Sequence, residues 1–350
     1  MDSLTQIILG GAVGEAVLGK KVGNKAILWG AIGGTIPDLD TIPGLFLDTV
    51  SRLEIHRGFS HSIVFAILIS PLLGFIISKL YSRKAESNWW GWTQLMFWAI
   101  FTHPLLDIFT TWGTQLLWPL EWRIAIQSIF VIDPMYTLPF LVCLTVVLFL
   151  KRNTTKRLKW NRVGIVLSSF YLLITVGLKF YVDQVFTEAL KNKNYNYNRF
   201  DSRPTPLNAV LWTSNIELEN HFLITYYSIF DTHQDLTFFE FPKNEFLLNP
   251  YRNDPEIEKL IQLTKGFYTI EKTEDGIAMN DLRFGLSEGF DHGSGDFVFT
   301  YLISKLNGEL TVEQKKQSFK GMDSALEKLW NRIKGVSKTT VHHNDMSLLD

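Results

Sequence analysis

Long uncharged runs crowd the first half of the chain and nearly vanish after residue 183. Ser62–Ser78 (SIVFAILISPLLGFIIS) ends at Lys79, Pro134–Leu150 ends at Lys151-Arg152, and Val163–Leu178 continues past Lys179 through Phe180, Tyr181 and Val182. Each is close to the roughly 17–25 residues a spanning helix requires. Asn88–Leu106 adds a fourth stretch without Asp, Glu, Lys or Arg, headed by Trp89, Trp90 and Trp92, which suit an interfacial belt. Two earlier runs, Ser3–Gly14 and Ala26–Pro37, are shorter and rich in glycine. They predict a tight helical hairpin or half-spanning helices packed through Gly10, Gly11, Gly14, Gly30, Gly33 and Gly34. No basic region precedes the first run, so no signal peptide is expected.

Beyond Asp183 the pattern changes. His221–Phe230, Leu236–Phe241 and Phe297–Ile303 collect β-branched and aromatic residues between polar turns at Asn249-Pro250 and Gly293–Gly295, which predicts strands. Phe319, Met322, Leu326, Leu329 and Ile333 form an apolar stripe and predict a helix over Thr311–Ile333, capped by Thr311. Phe186–Asn198, with KNKNYNYN, reads as a linker. The expected architecture is a polytopic α-helical membrane domain over 1–183 followed by a soluble α+β domain over 184–350.

Charge orients this layout. The connection Lys151–Arg162 holds six basic residues and no acid, and Lys20, Lys21, Lys25 and Arg83-Lys84 fall on the same side if the helices alternate. Basic loops stay in the cytoplasm, so Asp38–His61, Asp107–Asp133 and the C-terminal domain are expected outside it, with the chain in the inner (cytoplasmic) membrane. Over the whole chain, 34 Lys+Arg against 35 Asp+Glu argue against nucleic acid as a partner. The expected partner is the lipid bilayer. One cysteine, Cys143, excludes a disulfide framework and a Cys-rich zinc site.

The polar outliers gather at the outer ends of the runs. Asp38 and Asp40 lie in TIPDLD, and His56, Arg57, Ser60 and His61 in HRGFSHS. His103 and Asp107 form HPLLD, and Asp133 precedes Pro134. About fifteen helical residues from Asn88 lift His103 by about 22 Å and bring Asp107 near the outer edge of a roughly 30 Å core. Three of the eight histidines precede residue 184, and all three belong to this set. Histidine with carboxylate suits a divalent metal, zinc being the expected ion. His103 and Asp107 are spaced i,i+4, on one face of a helix expected to start at Pro104, and Ser60 is an expected cap for the helix after it. The candidate ligands are Asp38, His56, His61, His103 and Asp107. Asp40, Arg57 and Glu15 are the candidate catalytic groups, to activate water, hold substrate charge, or act from within GGAVGEAV. Each pattern alone has a structural explanation: a helix-ending turn, a snorkelling arginine, a Glu15–lysine pair, and a helix cap at Asp133 with Arg123 as its ion partner.

Taken together, these residues resemble the YdjM-like, membrane-bound metal-dependent hydrolases. The resemblance rests on the small-residue first helix, Pro37–Asp40, His56–Ser62, His103–Asp107, Thr110–Thr114 and Trp118–Pro119, covers about the first 150 residues, and extends to DLRFG at Asp281–Gly285. It implies a bound metal and hydrolase activity without naming a substrate. Many relatives carry Thr-His in the first helix where this chain has Thr5-Gln6. A site at the outer interface would favour a lipid or lipid-linked phosphoester. The alternatives are a non-enzymatic metal-binding sensor or interaction protein, and a transporter, which would want its carboxylates at midplane.

Overall fold

The computed structural model describes residues 1–82, 87–233, 235–287, 289–290, 293–306, 309–316 and 322–335. Arg83-Lys84, His292, Phe319 and His342-His343 lie outside the described residues. The chain divides into two compact units. The first is Met1–Leu47, Ser51–Gly177 and Pro206–Asn208; the second is Asp48–Val50, Leu178–Thr205 and the chain from Ala209 onward.

The first unit is helical. Helix α1 (Ser3–Val22) starts where the Asp2 carboxylate accepts the Thr5 N–H at 3.1 Å, and it turns at Gly23 (φ 63°) into α2 (Asn24–Thr35). The expected hairpin is present and its glycines explain it. A methyl group on Gly10 would collide with the Gly30 carbonyl oxygen, one on Gly14 with the Ala26 carbonyl, and one on Gly34 with the Gln6 carbonyl. Only backbones without side chains approach this closely.

A 3₁₀ turn (Pro37–Asp40), α3 (Thr41–Gly44), α4 (Thr49–Ile55) and a second 3₁₀ turn (Phe59–His61) follow. Helix α5 (Ile63–Leu80) is capped by Ser62, whose hydroxyl accepts the Phe65 N–H at 3.1 Å. Ser62 thus fills the capping role expected of Ser60, because its hydroxyl reaches the first turn while that of Ser60 is engaged by Asp40 and His61. Helix α6 (Trp89–Asp107) runs unbroken through Pro104, so no new helix starts there. Helix α7 (Pro134–Phe149) has proline in its first turn and Asp133 as its cap, accepting the Met135 N–H at 2.9 Å. Helix α8 (Thr155–Asn192) continues from the first unit into the second. Among the described residues, Ile63–Leu80 and Thr155–Asn192 are long and apolar enough to cross a membrane, and Pro134–Phe149 is a shorter apolar helix.

The turns at the two ends of this unit differ in character. At one end the basic connections meet: Arg152 donates to the Lys21 carbonyl at 2.9 Å and Asn24 to the Leu148 carbonyl at 2.9 Å. At the other end lie Met1, Thr35, the PDLD and HRGFSH turns, the end of α6 and the start of α7. Two apolar cores fill the space between. One centres on Trp92, Leu95, Met96 and Ile77 and the other on Ile8, Phe140, Leu144 and Val147.

The second unit holds two four-stranded antiparallel meanders. Strands β1 (Arg199–Pro204), β2 (Leu211–Glu217), β3 (His221–Ser228) and β4 (Phe238–Pro242) form one sheet; β5 (Tyr268–Lys272), β6 (Gly276–Leu286), β7 (Phe297–Leu306) and β8 (Glu309–Gln314) form the other. Helix α9 (Pro255–Leu263) precedes β5, and α10 (Met322–Ile333) follows the second sheet. Phe222, Ile224 and Tyr226 of the first sheet share a core with Leu282, Leu286 and Phe297 of the second and with Leu329 of α10. Two expectations are corrected here. Thr311 pairs with Ser304 in a strand and does not cap the helix, whose described residues are Met322–Ile333, because the alternation Leu310–Thr311–Val312 is a strand period. Phe186 belongs to α8, where Val182, Val185, Phe186 and Ala189 pack against Trp212 and Tyr227.

Candidate metal centre

Two turns and one helix end deliver four donors to one point. Asp38 comes from the turn that ends α2, His61 from the turn before α5, and His103 and Asp107 from the last turns of α6. The two imidazole Nε2 atoms are 3.1 Å apart. Asp38 Oδ1 is 3.3 Å from His61 Nε2 and 3.4 Å from His103 Nε2. Asp107 Oδ2 is 3.6 Å and 3.5 Å from the same two nitrogens. His61, His103 and Asp107 are fully buried, while the Asp38 side chain keeps 26% exposure.

The surrounding hydrogen bonds decide how the rings present themselves. His103 Nδ1 donates to the Gly34 carbonyl at 2.6 Å, which turns Nε2 into the cluster. Ser60 Oγ donates to Asp40 Oδ2 at 2.8 Å, so its lone pair is free to accept from His61 Nδ1 at 2.9 Å, which turns Nε2 of that ring into the cluster too. Burial pushes the His61 imidazole below its ordinary pKa despite its carboxylate neighbours, towards the neutral form a metal takes. Asp107 Oδ2 is buried with no hydrogen-bond partner, although Arg57 Nε stands 3.3 Å away. Two imidazole nitrogens and two carboxylate oxygens thus converge on one point, an arrangement that a cation would hold together.

The donor set fits a metal ion. A tetrahedron with metal–ligand bonds of about 2.0–2.1 Å has edges of about 3.3–3.4 Å, and the five measured edges fall between 3.1 and 3.6 Å. The oriented second ring nitrogens are the arrangement that fixes metal-binding histidines. The cluster of Asp38, His61, His103 and Asp107 could therefore hold a metal ion.

The other candidates stand around this cluster or away from it. His56 does not join the four; its Nδ1 donates to Asp40 Oδ1 at 3.0 Å and its ring remains partly exposed. Asp40 acts as a hub, accepting from His56, from Ser60, and from the Arg57 N–H at 2.9 Å. Burial works against its ionisation, but the His56 hydrogen bond and the adjacent His61 hold its carboxyl below the usual carboxylate range. Arg57 takes a left-handed backbone (φ 58°), is buried, and donates to Thr110 Oγ1 at 2.8 Å while pairing with Asp107. A cleft of about 360 Å³ opens beside the cluster, lined by Asp38, His56, Arg57, Thr35, Thr41 and Met1. Glu15 is placed elsewhere on α1, in a buried two-pronged ion pair with Arg157 at 2.7 and 2.6 Å. Asp133 caps α7 and accepts from Tyr171 at 2.8 Å, while Arg123 donates to the carbonyls of Glu54 and His56.

Several contributors escaped sequence reasoning. Gln6 donates to Asp107 Oδ1 at 3.0 Å, and the Met1 amino group pairs with the same oxygen. The signal for Gln6 was its place opposite the histidine of the resembled family. The Gly34 carbonyl carries no sequence signal at all. Because Asp40 and Ser60 orient His61, Asp40→Asn should weaken metal affinity by about 10–100-fold. Competitive titration against a chelating dye measures this; unchanged affinity would remove Asp40 from the site.

The first 184 residues match the family model described as YdjM inner membrane protein. The chain is 30% identical over 154 residues to the uncharacterized protein YfhP of Bacillus subtilis, covering 42% of this chain and 46% of that one. It is 33% identical over 106 residues to the inner membrane protein YbcI of Escherichia coli, covering 30% of this chain and 59% of the relative. The chain thus spans about half the length of the curated relatives it matches. No solved structure matches. With more than half its length covered by that model, and with the four-donor cluster inside the matched region, the chain belongs to the YdjM inner membrane protein family.

Proposed function

We propose that this protein is a multi-pass, membrane-embedded, metal-dependent hydrolase whose site opens at the outer face of the inner membrane. The observation that carries the reading is the convergence of four metal-ligating side chains, three of them fully buried, beside a cleft into which only Asp38 reaches. Asp38, His61, His103 and Asp107 would hold the ion, with zinc suited to the nitrogen and oxygen donors. A divalent ion there supplies Lewis acidity, polarising the bond to be cut and acidifying water. Asp40 fixes the His61 ring through Ser60 and orients His56, whose Nε2 is then free to exchange a proton at the cleft. The Arg57 guanidinium balances Asp107 and brings positive charge to a phosphoryl or carboxyl group bound in the cleft. Position at the membrane surface favours a lipid or lipid-linked phosphoester.

Topology follows from charge. With the meeting loops of Lys21, Lys25 and Arg152 in the cytoplasm, the opposite end and the C-terminal unit lie outside. Alkaline phosphatase fused after Asp350 should therefore be active in intact cells; activity only of a cytoplasmic reporter would invert this topology.

One observation favours a second reading. Four protein donors can complete a tetrahedron alone, as closed structural sites do, which suits a non-enzymatic metal-binding sensor. A chelating phosphonate separates the two. Inhibitor binding that requires the metal and is lost in His61→Ala supports an open, hydrolytic site. A metal-loaded protein that binds no phosphonate and cleaves no phosphoester supports the sensor.

A further inference from the structure

The segment following Asp38 turns a row of large apolar side chains outward. Leu39, Ile42, Leu45, Phe46 and Leu47 are all exposed, Phe46 at 86% and Leu45 at 74%. No charged residue lies between Thr41 and Leu47. At the same end of the helical unit Trp118, Leu120 and Trp122 are exposed too, Trp122 at 67%.

The two stretches are held on one frame with the metal centre. Gln115 N–H donates to the Arg57 carbonyl at 3.0 Å, and Arg123 donates to the Glu54 and His56 carbonyls at 2.7 and 2.9 Å. Phe59 meets Trp118 edge-on with ring centroids 4.8 Å apart and meets Phe65 of α5 at 5.4 Å. From Phe65 the apolar surface runs on without interruption along the exposed Ile67, Leu68, Leu72, Phe75 and Ile76 of α5. The collar is thus continuous with the outer flank of a helix apolar and long enough to cross a membrane.

Apolar surface this contiguous is unfavourable in water, at roughly 25 cal/mol per Å², and marks an interaction site. Tryptophans at the edge of an apolar flank belong to the headgroup level of a bilayer. Of the charged groups at this end, Asp38, Asp40, Arg57 and Asp107 turn into the site, while Glu121 in the loop and Asp48 after Leu47 are exposed, as suits headgroup depth rather than the hydrocarbon core. We propose that the Leu39–Leu47 segment and the Trp118–Trp122 loop form a collar embedded in the outer leaflet at headgroup depth. The cleft beside Asp38 then receives the headgroup of an anionic lipid ester while its chains remain in the bilayer. A volume of about 360 Å³ suits a headgroup rather than a whole lipid. The substrate half of this proposal rests on the hydrolytic reading above; the depth of the collar does not.

Cys143 is the sole cysteine and is buried, so Cys143→Ser provides a labelling background. In full-length protein reconstituted into phosphatidylethanolamine and phosphatidylglycerol vesicles, nitroxides on Phe46→Cys and Trp122→Cys should collide more with oxygen than with a nickel chelate. A nitroxide on Arg252→Cys, at an exposed position of the β unit, should show the reverse. Collar labels that behave like Arg252→Cys would overturn the proposed depth, whatever the metal content. Lipid-side labels in a protein without metal would keep the collar and remove the hydrolytic reading. For the substrate, wild type should cleave a long-chain phosphoester in vesicles faster than its short-chain soluble analogue; equal rates, or preference for the soluble ester, would overturn the lipid headgroup as ligand.

Discussion

His103→Ala should abolish stoichiometric metal binding while leaving the protein folded in detergent. The variant removes one of two nitrogen donors and also the ring held by the Gly34 carbonyl, leaving His61 and two carboxylates facing a gap. A three-donor remnant with a missing imidazole should lose at least the 10–100-fold in affinity that even a supporting residue contributes. His61→Ala should behave alike, and hydrolysis should fall with the metal in both. Equilibrium dialysis against the metal, with circular dichroism to confirm folding, measures the effect. Because every donor must be unprotonated to bind, occupancy of the wild type should also decline as pH falls. Normal metal content in both variants would reduce the cluster to a polar structural network.

The second large effect concerns stability. Arg157→Met should destabilise the helical unit by about 3–5 kcal/mol, because it leaves the Glu15 carboxylate buried and uncompensated. Arg157 meets both Glu15 oxygens and also donates to the Leu150 carbonyl at 2.8 Å, so it ties α1 to α8 and to the end of α7. The double variant Glu15→Leu/Arg157→Met removes both charges and should recover most of the loss, since apolar replacement of a buried pair is often neutral. Denaturation in mixed micelles measures both. If the double variant is stable and keeps its metal and activity, Glu15 is a structural residue of the α1–α8 contact. Loss of activity with full stability and metal would return Glu15 to the catalytic set.

What the sequence disclosed and what it hid follow from the range of the interactions. The glycine hairpin was legible because Gly10, Gly14, Gly30 and Gly34 must be small wherever two backbones touch. Asp38, His61, His103 and Asp107 were legible because ionisable groups at the ends of uncharged runs are few. Telling His56 apart from these four was not possible, since it lies one residue from Arg57 in the same HRGFSH turn. Only the folded turn shows that its Nδ1 faces Asp40 rather than the cluster. Glu15 was ambiguous for a similar reason: its partner lies 142 residues away. Ser60 looked like a helix cap because serine before an apolar run usually is one; here Ser62 does that and Ser60 serves His61. The strand at Glu309–Gln314 was lost to an apolar stripe that could be extended backwards from a real helix at Met322–Ile333.

The central claim is that Asp38, His61, His103 and Asp107 together hold one divalent ion. X-ray absorption at the metal edge, on wild-type protein purified without chelators, tests it most directly. The expected spectrum belongs to a single metal with a shell of nitrogen and oxygen at about 2.0–2.1 Å, two imidazoles contributing, and no sulfur. Absence of a stoichiometric metal, or a shell showing one imidazole or none, would contradict it.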